Sequence, residues 1–153
     1  MLDQSLTTAF GFTKKQAPSG FSIDSSDTQF QRVTMTLNND KGNEYYLYDT
    51  QNNHLELLGS SPSLTHKDAL ADTAPIELIS RDNVPLHGYL TLPKGVSPHQ
   101  LPMVLMVHGG PWERDYWQYN SEVQFLANRG YAVLQINYRG STGYGRHFQE
   151  LAI

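Results

Sequence analysis

The chain has 153 residues, with 39% apolar and 17% charged residues and 15 Asp and Glu against 11 Lys and Arg, a formal charge of −4. That balance belongs to a globular chain able to bury a modest core, and it offers no basic stripe, so nucleic acid is excluded as an expected partner. Cysteine is absent, which excludes disulfides, thiolate nucleophiles and cysteine-based zinc or iron–sulfur sites and fits a reducing, cytoplasmic compartment.

The first stretch, "MLDQSLTTAFGFTKKQ", lacks the basic-then-apolar layout of a secretory signal, although a signal could lie upstream of this methionine. From Gln31 to Leu58 the pattern predicts an antiparallel meander. Arg32 to Leu37 alternates polar with apolar, Glu44 to Tyr48 is aromatic and strand-favouring, and Leu55 to Leu58 is a third short strand. Asn38 to Gly42 and Gln51 to Asn53 supply turn chemistry between them. Tyr45, Tyr46 and Tyr48 read as sheet packing with hydrated hydroxyls; the alternative is a binding platform. Residues 61–75 are polar with no clear period and read as a linker.

Beyond the linker, Ile76 to Ser80 and Leu86 to Leu92 predict two strands around the turn Arg81-Asp82-Asn83. Met103 to Val107 is apolar at every position, as expected of a strand covered on both faces in a parallel sheet. The run is far shorter than the roughly 20 residues a membrane-spanning helix needs, and no membrane partner is expected. Ser121-Glu122-Val123-Gln124 fits a capping box, followed by a helical stripe of Val123, Leu126 and Ala127 that stops at Arg129-Gly130. Tyr131 to Tyr138 returns to strand, which completes a βαβ crossover and an α/β class. After "RGSTGYG", Phe148, Leu151 and Ala152 predict the start of another helix.

The apolar run drives straight into His108-Gly109-Gly110-Pro111 at the carboxyl end of a strand, where ligands collect in open α/β sheets. Two glycines leave backbone N–H groups facing outward without side chains in the way, as an oxyanion hole requires, and a tight turn would use them equally well. A serine hydrolase also needs a G-x-S-x-G nucleophile elbow. Ser61 has Gly59 before it but Ser63 after it; Ser141 has Gly143 after it but Arg139 before it. No elbow exists in the sequence, and a local Ser141/His147 pair would lack a buried acid. The six histidines show no metal-binding spacing, so no metal is expected. "GSTGYG" is neither a dinucleotide fingerprint nor a P-loop, and no cofactor is expected.

The run from Pro102 to about Phe148, with its order His-Gly-Gly-Pro-Trp, Gln-Phe-Leu-Ala-Asn-Arg-Gly-Tyr and Asn-Tyr-Arg-Gly-Ser-Thr-Gly-Tyr-Gly, resembles the opening of the catalytic domain of prolyl oligopeptidase-type serine peptidases. The resemblance is strongest to the acylaminoacyl-peptidase and dipeptidyl-peptidase-like branch. Ile76–Leu92 resembles that domain's first hairpin, and Gln31–Leu58 resembles the last strands of the family's β-propeller. The resemblance therefore implies the N-terminal part of an α/β-hydrolase domain over residues 76–153, preceded by the end of a β-propeller over 1–60.

It also implies a serine peptidase acting on short peptides. Gly110, with Gly109, would supply the backbone of one half of the oxyanion hole, while the catalytic triad lies downstream of the matching region. Asn137 to Gly140 would buttress that site. Arg139 would form a structural salt bridge or bind a substrate carboxylate. On this reading the chain is an internal fragment, inactive alone, that self-associates or needs its missing C-terminal half. The alternatives are a carboxylesterase or lipase fragment, and a non-catalytic interaction module or half of a split enzyme, so whether this chain is itself an enzyme stays open.

Overall fold

A computed structural model describes residues 20–110 and 112–152. The expectations resting on the N-terminal stretch, on Pro111 and on Ile153 lie outside the described residues. The chain divides between Asp68 and Ala69 into two compact units.

The first unit is a four-stranded antiparallel meander in chain order: β1 (Phe21–Ser26), β2 (Arg32–Asn39), β3 (Gly42–Asp49) and β4 (His54–Ser60). Its core comes from alternate positions of β2, Val33, Met35 and Leu37, closed by Tyr48 of β3 and flanked by Phe21, Tyr46 and Leu55. Full burial of each aliphatic side chain contributes about 1.5–3 kcal/mol. Tyr46 and Tyr48 pack in the sheet, whereas Tyr45 is exposed. Tyr48 donates to Asn53 Oδ1 at 2.6 Å and Tyr46 to Glu44 Oε2 at 3.1 Å, and burial raises the pKa of both hydroxyls above the ordinary tyrosine value. Strand β1 is not apparent from the sequence pattern. It pairs Phe21 with Leu37 and Ile23 with Met35, then shifts register before Ser25; only those two apolar residues mark it, in a stretch otherwise of Ser and Asp.

Two short 3-10 turns from Pro62 to Ala69 meet at His66, where φ is −120°. The second unit follows: β5 (Thr73–Ile79), β6 (Pro85–Thr91), β7 (Met103–Met106), α1 (Ser121–Ala127), β8 (Ala132–Asn137) and α2 (Arg146–Glu150). Its sheet runs β5-β6-β8-β7, with β6 antiparallel to both β5 and β8, and β7 parallel to β8. β7, α1 and β8 thus form the expected βαβ crossover, and the unit is α/β. Val123 and Ala127 of α1 are buried, as is Val133 of β8.

Two local expectations are corrected. Helix α1 is capped by Asn120, not Ser121: the extended backbone of Asn120 lets its Oδ1 accept from Glu122 N at 2.9 Å and Val123 N at 3.2 Å. Gln124 does not reach back to close a capping box, because its side chain is committed to Ala71. It accepts from Ala71 N and donates to Ala71 O, both at 2.9 Å, as a neighbouring strand would. The second correction concerns β7, which is not covered on both faces. It is an edge strand, and Met103 and Leu105 are 58% and 55% exposed.

Candidate active-site loop

Because β7 and β8 run parallel, with Met103 opposite Ala132 and Met106 opposite Gln135, their carboxyl ends lie side by side. The chain leaving β7, which carries His108, Gly109 and Gly110, therefore meets the chain leaving β8 at one end of the sheet. The sequence pattern places the glycines there. It does not reveal how the segment after β8 holds them.

The contacts run along the whole loop. The His108 ring stacks on Tyr138, centroids 4.4 Å apart and planes 13° from parallel. Tyr138 Oη donates to the carbonyls of both His108, at 3.0 Å, and Gly109, at 3.3 Å. The imidazole reaches Gly109 O through Nδ1 at 2.7 Å and Ser141 Oγ through Nε2 at 2.9 Å. Further along, Thr142 N donates to Glu113 O at 3.1 Å. Asn137, fully buried at the end of β8, closes a two-point clamp on Asp115: its Oδ1 accepts from Asp115 N at 2.7 Å and its Nδ2 donates to Asp115 O at 3.1 Å.

Arg114 anchors the same stretch through aromatic contacts. Its guanidinium lies 4.8 Å from the Tyr116 ring centroid and 4.4 Å from that of Tyr144, and it donates to Tyr144 Oη at 2.9 Å. One glycine of "RGSTGYG" serves this packing. Gly143 has φ 84°, and a Cβ there would run into the Arg114 guanidinium. Tyr144 also accepts from Asn137 Nδ2 at 2.8 Å. Burial raises its pKa above the ordinary value, opposed by the Asn137 hydrogen bond and the Arg114 charge.

Ser141 and His108 stand at the separation of a nucleophile and its base, but they do not form one. Ser141 is fully buried, and its hydroxyl folds back to donate to the Tyr138 carbonyl at 2.7 Å. No acid among the described residues faces Nδ1 of His108, which points at the Gly109 carbonyl. The Ser141/His147 pair is not assembled either, since Ser141 contacts His108 while His147 lines a separate cavity with His87, Tyr144 and Phe148. Arg139 pairs with Asp82 on the β5–β6 turn, which is the salt-bridge role.

Both Gly109 and Gly110 are exposed. A Cβ on Gly109 would meet nothing, whereas one on Gly110 would lie 2.8 Å from Tyr138 Oη. Beside them, Met106, Val107, His108, Asp115, Asn120 and Glu122 line a cavity of about 380 Å³. Asp115 Oδ2 is buried with no hydrogen-bond partner among the described residues. Among the described residues no cluster of three or more His, Asp or Glu could hold a metal ion.

The parallel strand pair with its βαβ crossover, and an exposed glycine loop at the carboxyl end of β7, define an α/β protein. Comparison with known proteins narrows the class. The residue pattern of the prolyl oligopeptidase family (Peptidase_S9) matches residues 117–152. Dipeptidyl aminopeptidase BIII of Pseudoxanthomonas mexicana is 47% identical over 112 residues, covering 68% of this chain and 16% of that protein. A puromycin-hydrolyzing peptidase of Mycobacterium tuberculosis superposes with a TM-score of 0.67 at 28% identity, over 79% of this chain and 20% of its own. Pyrococcus horikoshii acylaminoacyl peptidase does so with a TM-score of 0.64 at 26% identity, over 85% and 20%. The chain belongs to the prolyl oligopeptidase family. It spans 16% to 20% of the length of these relatives.

Proposed function

We propose that this chain contributes the oxyanion-binding loop of a serine peptidase that hydrolyses short peptides. On this reading the second unit is the first part of an α/β-hydrolase domain, and the meander before it is the end of a β-propeller that limits access to the site. The Gly110 N–H, assisted by Gly109, stabilises the charge on the carbonyl oxygen after serine attack. The serine, its acid and its base are supplied by polypeptide outside these 153 residues, which contain no G-x-S-x-G. The chain by itself then turns over no peptide.

The observation that carries the reading is the pair of exposed glycines at the end of β7, with the Gly109 carbonyl tied back to Tyr138 and His108. The names of the relatives support the substrate class. The test is a chimera in which the matching segment of the Pseudoxanthomonas enzyme is replaced by the corresponding residues of this chain. The chimera should release dipeptides from peptide substrates. Replacing Gly110 by Pro, which removes the N–H, should lower kcat by about 10²–10³ with a smaller effect on KM, the loss typical of one oxyanion donor. Ester hydrolysis without peptide hydrolysis would sink the substrate class.

A further inference from the structure

We infer that Tyr138 is a positioning residue for the oxyanion donors, acting through the carbonyls of the peptides that carry them. The inference rests on the reading of the Gly110 N–H as such a donor. In a planar trans peptide the C=O and N–H of the same unit point in opposite directions. The N–H of Gly110 belongs to the peptide whose carbonyl is Gly109 O, and the N–H of Gly109 to the peptide whose carbonyl is His108 O. Tyr138 Oη donates to both oxygens, at 3.3 and 3.0 Å, as one shared hydrogen bond. Drawing both carbonyls towards one hydroxyl turns both amides away from it.

Two further contacts fix where that hydroxyl sits. The Tyr138 ring lies flat against His108, at 4.4 Å, so the side chain is braced by the residue whose carbonyl it binds. The Tyr138 carbonyl takes the Ser141 hydroxyl at 2.7 Å, and Ser141 in turn lies 2.9 Å from His108 Nε2. The absence of a side chain at Gly110 is part of the same arrangement, because a Cβ there would stand 2.8 Å from Tyr138 Oη. A side chain at Gly110 would thus displace the hydroxyl of the tyrosine that orients its amide. At Gly109, where a Cβ would meet nothing, no such displacement follows.

Tyr138→Phe keeps the ring and its stacking and removes only the hydroxyl, so it isolates the effect. In the 15N-labelled chain the Gly109 and Gly110 amide resonances should shift more than any amide outside the two loops; unmoved glycine resonances overturn the proposal whatever the chemistry. A second measurement does not depend on that assignment. Gly110→Ala should lower the thermal midpoint of the chain, and should lower it less in the Tyr138→Phe background, where the oxygen it would crowd is gone. Equal losses in both backgrounds overturn the contact.

In the peptidase chimera, Tyr138→Phe should reduce kcat about tenfold or more while KM changes little, as a misplaced donor would. If the glycine resonances move and kcat does not, while Gly110→Pro still lowers kcat, the positioning role of Tyr138 is overturned and the oxyanion reading stands. If neither variant lowers kcat, the oxyanion reading falls and the positioning role falls with it.

Discussion

At the scale of single residues, the two glycines after His108 are chemically identical and structurally unequal. A methyl group added at Gly109 points into open space, whereas one added at Gly110 presses on Tyr138 Oη at 2.8 Å. The tyrosine must then shift and loosen its hold on two carbonyls. Gly110→Ala should therefore cost more, in chimera kcat and in chain stability, than Gly109→Ala. Parallel assays of the two variants check this, and equal costs would remove the distinction. A second residue carries a pH dependence. Asp82 accepts from Ser80 Oγ at 2.6 Å, which is the main reason its carboxyl is held below the ordinary 3.8, with its own backbone N–H and then Arg139 adding to the effect. A lowered carboxylate contributes stability that is present above its ordinary value and is lost as pH falls through its folded value. Asp82→Asn should therefore show a smaller loss of urea midpoint on acidification below 3.8 than the unsubstituted chain. An identical acid profile would show that this exposed pair contributes nothing.

At the scale of elements, the decisive feature is that β8 ends in a side chain that imitates a strand. Asn137 is fully buried and bonds both backbone groups of Asp115, so the far end of the glycine loop is fastened to the sheet without belonging to it. Asn137→Ala would leave the part-buried Asp115 N–H without its partner, whereas Asp115 O keeps Arg114 Nε at 3.2 Å, and one unsatisfied group costs about 1–3 kcal/mol. The chain should lose on the order of 1–3 kcal/mol in urea unfolding, less if water enters the space vacated by the amide. Asn137→Asp keeps the acceptor but cannot donate, and should fall between the two.

Such anchors explain which features are legible in the sequence and which are not. Strands β2 to β8 follow from alternation, apolar runs and turn residues, which are properties of neighbouring positions, although β5 begins at Thr73, inside the stretch 61–75 that reads as linker. The glycine loop is legible for the same reason. The roles of Asn137 and Ser141 are not: their partners Asp115 and His108 lie 22 and 33 positions away, and nothing periodic links them. The cap of α1 falls one residue before the position that the local pattern indicates, because Gln124 has a partner at Ala71, 53 positions distant, that local pattern does not reveal. The composition of β7 marks it as a strand, but whether its two faces are covered depends on what stands beside it.

At the scale of the whole molecule, that uncovered strand sets how the chain should behave in solution. Met103, Leu105 and Val107 are 58%, 55% and 59% exposed, and β7 has β8 as its only pairing partner in the described sheet. On the other side of the strand, Met106 borders an apolar cavity of about 470 Å³ with Ser121, Glu122, Phe125 and Leu126 of α1. An unpaired strand edge with this much exposed apolar surface favours association through added strands. The chain should therefore sediment as concentration-dependent oligomers. A lysine at an edge strand opposes such pairing, so Leu105→Lys should shift the distribution towards monomer. Because position 105 is already exposed, its unfolding free energy in urea should stay within about 0.5 kcal/mol of the parent. A chain that remains monomeric at every concentration, with Leu105 still exposed to solvent, would show that the edge is not adhesive. If Leu105→Lys monomerises the chain but also abolishes hydrolysis in the chimera, the same face that drives self-association serves to dock the polypeptide carrying the catalytic serine.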